Sequence, residues 1–285
     1  MVLWMDAILR GLRHRYVVEG QGDAPVLLVM GFGFSGKAWR PQVTALAPRH
    51  PVVWYDNRGV GESEPATAPY GIADLADDAA ALLDHLGWAR AHVVGVSMGG
   101  MIAQELALRH RARLRSLTLI ATMAGGTLAK LPTAQGMALF ARAQLQQGPG
   151  RLAALAQLLY PPGTEPEPGV VQPGFDRPPP RRTIGWQLRA ILRHETRARL
   201  SRLAGLPTLV VKPARDILVR PRHSDELHGA IPGARLVTFE DAGHGVTAQC
   251  ATRLNTELLA HFAAADAAAP RPVPVDSGAE ARARS

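Results

Sequence analysis

Residues 92–110 read HVVGVSMGGMIAQELALRH. The run HVVGV is short and largely apolar, as expected of a strand buried on both faces. The run from Met98 to His110 has helical spacing. Between them stands Gly95-Val96-Ser97-Met98-Gly99, extended by Gly100. This is G-x-S-x-G in the strand–turn–helix setting that a nucleophile elbow requires. A nucleophilic oxygen must be lifted clear of the sheet. A sharp turn does this by strain, and glycines on either side remove the clash. The start of the following helix also favours negative charge developing nearby. The competing reading is a serine that caps a helix, with glycines present for packing.

Around this stretch, strand-like runs alternate with helical ones. Candidate strands are Arg15–Glu19, Val26–Met30, Val52–Asp56, His92–Val96, Ser116–Ala121, Thr208–Lys212 and Arg235–Phe239. Helical patterns cover Ile72–Leu86, Met98–His110, Arg222–Ala230 and Val246–Ala264. Such alternation predicts βαβ units, a mostly parallel doubly wound sheet, and a ligand site beyond the C-terminal ends of its strands.

The alternation fails between Met123 and Leu203. Helical patterns occupy Thr133–Gln147 and Arg151–Leu159, then Pro161–Pro180 holds eight prolines in twenty residues. A long structureless loop is uncommon inside a compact domain. Arg181–Leu203 returns to helical spacing. The chain therefore divides into a core of residues 1–122 and 204–264, an inserted helical cap of residues 123–203, and a tail, 265–285, expected to be disordered.

A serine hydroxyl needs a base. Of ten histidines, His244 stands in Gly243-His244-Gly245, after the strand RLVTF and before a helix. Flanking glycines suit a loop that presents a side chain at the sheet edge. His223, His228, His110 and His261 fall in or at the ends of helices and read as solvated or helix-capping. The base needs a carboxylate to hold its tautomer. Asp216 follows the strand TLVVK. Asp225, Asp241 and Glu240 are neighbouring alternatives, but Asp225 falls inside a helix and Asp241 is too near His244 in sequence to face it easily. The order Ser97, Asp216, His244 is the one expected for this elbow.

A second glycine motif competes. Gly31-Phe32-Gly33-Phe34-Ser35-Gly36 fits G-x-G-x-x-G, and Asp56 ends the next strand 20 residues later. A dinucleotide would place its pyrophosphate at a helix start inside this loop. Pro41 lies five residues past the last glycine, and proline is comfortable only in a helix's first turn. Phe32 and Phe34 are bulky beside a pyrophosphate.

In these residues and motifs, the chain resembles the α/β-hydrolase superfamily from about Tyr16 to Phe262, outside the cap. It is similar to small-molecule ester and lactone hydrolases such as 3-oxoadipate enol-lactonases and methylesterases of aromatic polyketides. The run Tyr55-Asp56-Asn57-Arg58-Gly59-Val60-Gly61-Glu62-Ser63 is similar to that superfamily's D-x-R-G-x-G-x-S turn. The resemblance implies that Asp56 shapes the loop under the site. It also implies an oxyanion hole from the backbone N–H groups of Phe32 and Met98. Gly31 and Trp186 are candidate substrate-contacting residues. Met30 stands where the superfamily usually has His. Pro213 stands where Gly usually precedes the acid, and Arg215 could draw Asp216 away from His244.

Composition bounds the rest. The chain has 285 residues, 47% hydrophobic and 20% charged, which excludes disorder of the whole chain. No apolar run reaches the roughly 18 residues of a bilayer span. Met1 to Arg15 has no apolar segment of a signal peptide, and a single cysteine, Cys250, allows no internal disulfide or cysteine-based metal site. A cytoplasmic location, no cofactor and no metal are expected. The net charge of +8 is concentrated in Met123–Leu203, with 11 basic and 4 acidic residues. Arg181–Leu203 has seven arginines against Glu195 and reads as a solvated face; attraction of anionic substrates is the functional alternative.

The sequence thus predicts a monomeric or homodimeric serine hydrolase for a small-molecule ester or lactone, with no nucleic-acid partner and no stable membrane insertion. The rivals are C–C bond hydrolysis, acyl transfer or cofactor-free haloperoxidase chemistry on the same triad. From other classes come an NAD(P)-dependent oxidoreductase and a non-catalytic ligand-binding protein of the same fold.

Overall fold

The computed structural model describes residues 3–125, 131–165 and 178–268. Its strands are β1 (Met5–Leu9), β2 (Leu12–Glu19), β3 (Val26–Val29), β4 (Val52–Tyr55), β5 (Ala91–Val96), β6 (Leu114–Ile120), β7 (Thr208–Pro213) and β8 (Arg235–Phe239). They form one sheet in the order β1-β2-β4-β3-β5-β6-β7-β8. From β3 to β8 all pairs are parallel, while β1 and β2 pair antiparallel at one edge. The mostly parallel, doubly wound architecture expected from the sequence is present.

Helices cover both faces. They are α1 (Arg40–Leu46), α2 (Ile72–His85), α3 (Met98–Arg109), α4 (Ala134–Leu145), α5 (Gly148–Leu159), α6 (Arg181–Arg193), α7 (Arg222–Ala230), α8 (Val246–Gln249) and α9 (Ala251–Ala268). Side chains alternate across a strand. Leu27 and Val29 therefore enter the core shared with α2, α3 and α7, whereas Val26 and Leu28 enter the core shared with α1 and α9. Each central strand is buried on both faces, which is why these runs are continuously apolar.

The strand order places the site. β3 is flanked by β4 on one side and β5 on the other, so the loops after β3 and β5 diverge. A crevice opens at such a switch point. Val29 pairs with Gly95, so β3 and β5 end level with each other. Gly31 and Ser97 then stand side by side.

Several boundaries differ from the sequence reading. β1 was not expected. It is joined to β2 by a two-residue turn in which Arg10 (φ 49°) and Gly11 (φ 84°) are both left-handed. That geometry suits a hairpin, but Arg-Gly is a weak signature beside Asn-Gly. The expected helix from Val246 to Ala264 is two, broken at Cys250. The break aims α8 so that Gln249 accepts from Gly243 N (2.9 Å) and donates to Asp241 O (2.8 Å). α9 runs on to Ala268, four residues past the expected tail boundary. Asp266 holds it there, accepting from Arg115 Nη1 at 3.0 Å and facing His92 Nε2 at 3.3 Å. The remainder of the expected tail, 269–285, lies outside the described residues, as does 166–177 of the proline-rich stretch.

His223 and His261 are buried rather than solvated. His261 lies within the inner face of α9, with Nε2 3.3 Å from Leu117 O. His92 stacks on Phe262 at 4.4 Å and contacts Ser116 Oγ at 2.9 Å. Burial lowers both His92 and His261 to about pH 4. An unfolded histidine titrates near 6.5. Between about 6.5 and 4 the unfolded chain therefore binds more protons, and stability falls as the pH falls. Asp56, raised by burial, acts in the opposite direction. We expect the melting temperature to fall by roughly a few degrees from pH 6.5 to 4.5, and by less in His261→Gln. Calorimetry across that range checks this, and an equal slope in the variant would exclude His261 as a cause.

Candidate active site

β5 ends at Val96, and the chain turns at Ser97 with φ 56° and ψ −123°. A residue carrying a Cβ in a sparsely populated backbone region costs roughly 1–3 kcal/mol, so the surroundings must over-determine it. They do. Ser97 N donates to Ile120 O at 2.9 Å. Its carbonyl accepts from Thr122 Oγ1 (2.7 Å) and Gly100 N (2.9 Å). The flanking glycines allow α3 to descend onto the sheet. A Cβ on Gly99 would lie 2.0 Å from Val29 O, and one on Gly95 would lie 2.3 Å from Gly99 O.

His244 and Asp216 arrive from the far side of the sheet. Asp216 follows β7. Its Oδ1 accepts from Leu218 N (2.8 Å) and Val219 N (2.9 Å), and its Oδ2 lies 2.7 Å from His244 Nδ1. Both oxygens are thus committed, and Arg215 points to solvent, its charge acting on Asp241. The expected competition from Arg215 does not occur. With Nδ1–H donated to Asp216, Nε2 of His244 is left as the proton acceptor. Ser97 and His244 line the same cavity, of about 90 Å³.

The histidine loop is clamped to the end of α5. Gly245 N donates to Leu159 O at 2.9 Å. A Cβ on Gly243 would lie 2.5 Å from that same oxygen. The end of α5 therefore positions the His244 loop as well as covering it.

The loop after β3 completes the site. Gly31 packs against the serine, since a Cβ there would lie 3.1 Å from Ser97 Cβ. Among the described residues, neither Phe32 N nor Met98 N donates a hydrogen bond. Met98 is the first residue of α3, where amides have no helical partner. These two donors flank Ser97 and can serve a developing oxyanion. Asp56, fully buried, shapes the loop from below. Its Oδ1 accepts from Ser35 Oγ (2.6 Å) and Gly36 N (2.8 Å), and its Oδ2 from Glu62 N (3.2 Å). Met30, in place of histidine, is buried and holds Asn57 Nδ2 on its carbonyl at 3.1 Å.

These contacts count against a dinucleotide in the Gly31–Gly36 loop. The amides of Gly33 and Gly36 are taken, by Gln187 Oε1 (2.9 Å) and Asp56, and Asp56 has no face left for a ribose. Gln187 is the residue that sequence reasoning missed. It is fully buried on the inner face of α6 beside Thr183 and Ala190. A polar residue at helical spacing within that inner stripe was the available signal. Its neighbour Trp186 lies outside the cavities at Ser97, packing instead on Tyr70 (5.9 Å) and Arg182 (4.3 Å).

A serine, a histidine and an aspartate also meet at Ser116, His92 and Asp266. Ser116 is wholly buried at the other end of the sheet. That trio fastens α9; what distinguishes Ser97 is the strained turn, the free donors and the cavity.

Comparison with known proteins agrees with the fold. A profile of the alpha/beta hydrolase fold matches residues 24–247. A provisionally named carbamate hydrolase, RutD, from Azorhizobium caulinodans is 33% identical over 86% of this chain and 92% of its own. A provisionally named non-heme bromoperoxidase, BpoC, from Mycobacterium tuberculosis is 33% identical over 88% and 98%. The crystal structure of the enol-lactonase from Burkholderia xenovorans LB400 superposes with a TM-score of 0.74 at 26% identity, covering 91% of this chain and all of that one.

Strain at Ser97 has a measurable consequence. Ser97→Gly should be more stable than Ser97→Ala by about 1 kcal/mol, because glycine relieves the backbone and alanine does not. Urea unfolding of the two variants tests this; equal midpoints would mean that the turn stores no strain.

Proposed function

This chain belongs to the alpha/beta hydrolase fold family, and on that premise we propose that it is a serine hydrolase cleaving a small-molecule carboxylic ester or lactone. The observation that carries the reading is the buried 2.7 Å contact between His244 Nδ1 and Asp216 Oδ2, with His244 and the strained Ser97 on one cavity.

In this reading His244 Nε2 takes the proton of Ser97 Oγ as that oxygen attacks the carbonyl carbon. The carbonyl oxygen gains charge against the amides of Phe32 and Met98. Such donors are each worth roughly 3–4 kcal/mol. Asp216 holds the imidazole in register and stabilises its charged form. Collapse breaks the bond to the alcohol, which leaves with the proton from His244. Water, activated by the same base, then releases the acid and restores Ser97.

The provisional names of two relatives, a carbamate hydrolase and a non-heme bromoperoxidase, give the rival activities. Both are compared directly in the test. Wild type should form one adduct with a fluorophosphonate probe, lost in Ser97→Ala and His244→Ala. Esterase turnover should fall by roughly 10⁴–10⁶ in Ser97→Ala. Wild-type turnover in Ser97→Ala, or faster carbamate cleavage or bromination than ester hydrolysis, would sink the proposal.

Gln187 supplies a second test. Its side chain fixes Gly33 N, one residue from the Phe32 donor. Gln187→Leu should lower kcat by roughly tenfold or more while KM changes little. A pure KM effect would place Gln187 in substrate binding alone.

A further inference from the structure

A second cavity meets Ser97. It has a volume of about 310 Å³, and its lining residues include Ser97 but not His244. Its wall includes Met98, Met101, Met123, Met137, Leu188 and Ile191. Four of the chain's seven methionines are thus gathered here. Among the described residues on that wall, Ser97 is the only one with a polar side chain, and none is charged. The smaller cavity, of about 90 Å³, holds His244, and it has polar groups on its wall, Gln144 and Arg151.

The reaction decides which part of a substrate enters which cavity. At the tetrahedral carbon four groups diverge. One is Ser97 Oγ. One is the oxyanion, turned to the Phe32 and Met98 amides. One is the leaving oxygen, whose bond to carbon breaks with the electron pair going to oxygen. That oxygen must take its proton from His244 Nε2, so the alcohol lies in the cavity that His244 lines. The fourth group, the carbon chain of the acid, is left with the remaining direction, which is the methionine-lined cavity.

We propose that the substrate is an ester joining a medium-length apolar acid to a small alcohol. This rests on the serine-hydrolase reading above. The larger cavity holds roughly ten water-sized volumes, room for an alkyl chain of about six to eight carbons. A carbamoyl or carboxylate-bearing acyl group would surrender its water hydrogen bonds there without replacement, which is costly. Methionine is flexible and polarizable, so the wall adapts to straight or ring-bearing chains. Met137 and Leu192, which line the cavity, are 44% and 57% exposed, so the chain end reaches solvent between them.

Two isomeric esters test the assignment. Methyl heptanoate and hexyl acetate have the same formula and similar hydrophobicity, but opposite polarity about the carbonyl. With initial rates followed by pH-stat, kcat/KM should favour methyl heptanoate by roughly tenfold or more, and should rise about two- to fourfold per acyl methylene from methyl acetate upward. Equal rates, or a preference for hexyl acetate, would overturn the assignment. Met137→Trp, at the open end of the cavity, should lower the ratio of methyl heptanoate to methyl propionate turnover by roughly tenfold; an unchanged ratio would mean that the acyl chain goes elsewhere. If Ser97 takes the fluorophosphonate but neither isomer is cleaved, the substrate class is wrong and the hydrolase reading stands. If Ser97 is not labelled and neither isomer is cleaved, both fall together.

Discussion

The structure depends on how closely α3 can approach β3. Gly99 lies so near the carbonyl of Val29 that a methyl group would sit 2.0 Å from its oxygen. That approach drops the start of α3 into the crevice where the strand order reverses. The chain turns there at Ser97 with φ 56° and ψ −123°, and Met98, at the start of α3, has an amide with no helical partner. The level pairing of Val29 with Gly95 then puts the Gly31–Phe32 loop at the same height. Three groups of the candidate site are aligned by one packing constraint between a helix and a strand.

Around that contact, buried polar groups act as fixtures. Asp56 binds the loop after β3 to the turn after β4. Asp216 is held by two backbone amides before it meets His244. Gln249 ties the two ends of the histidine loop. Each carboxylate or amide is satisfied by backbone donors or acceptors, which is the condition for keeping it in a low-dielectric interior. The arginines of α6 and the segment after it are partly fixtures too: Arg199 pairs with Glu105 on α3 and Arg197 with Glu226 on α7.

Much of the fold was legible because buried parallel strands are continuously apolar and the helices between them are periodic. The elbow was legible because its glycines are local and their spacing is fixed. His244 stood out for the same reason. What escaped the sequence was long-range or geometric. β1 escaped because its turn uses arginine and glycine in unusual backbone states. Gln187 escaped because its partner, Gly33, is 154 residues away. Trp186 looked like a pocket residue by type, yet helix phase turns it toward Tyr70 and sends its neighbour to the loop. The break at Cys250 is set by where Gln249 has to reach, which no local pattern encodes.

The fit between Gly243, Gly245 and the end of α5 bears on how such a protein can change over evolution. The carbonyl of Leu159, at the end of α5, holds the loop that carries His244. The end of α5 and the His244 loop are mortised together. On the proposed reading, replacing α4 and α5 together would disturb His244 along with the cavity, so side-chain changes along the methionine-lined wall are the simpler route to a new specificity.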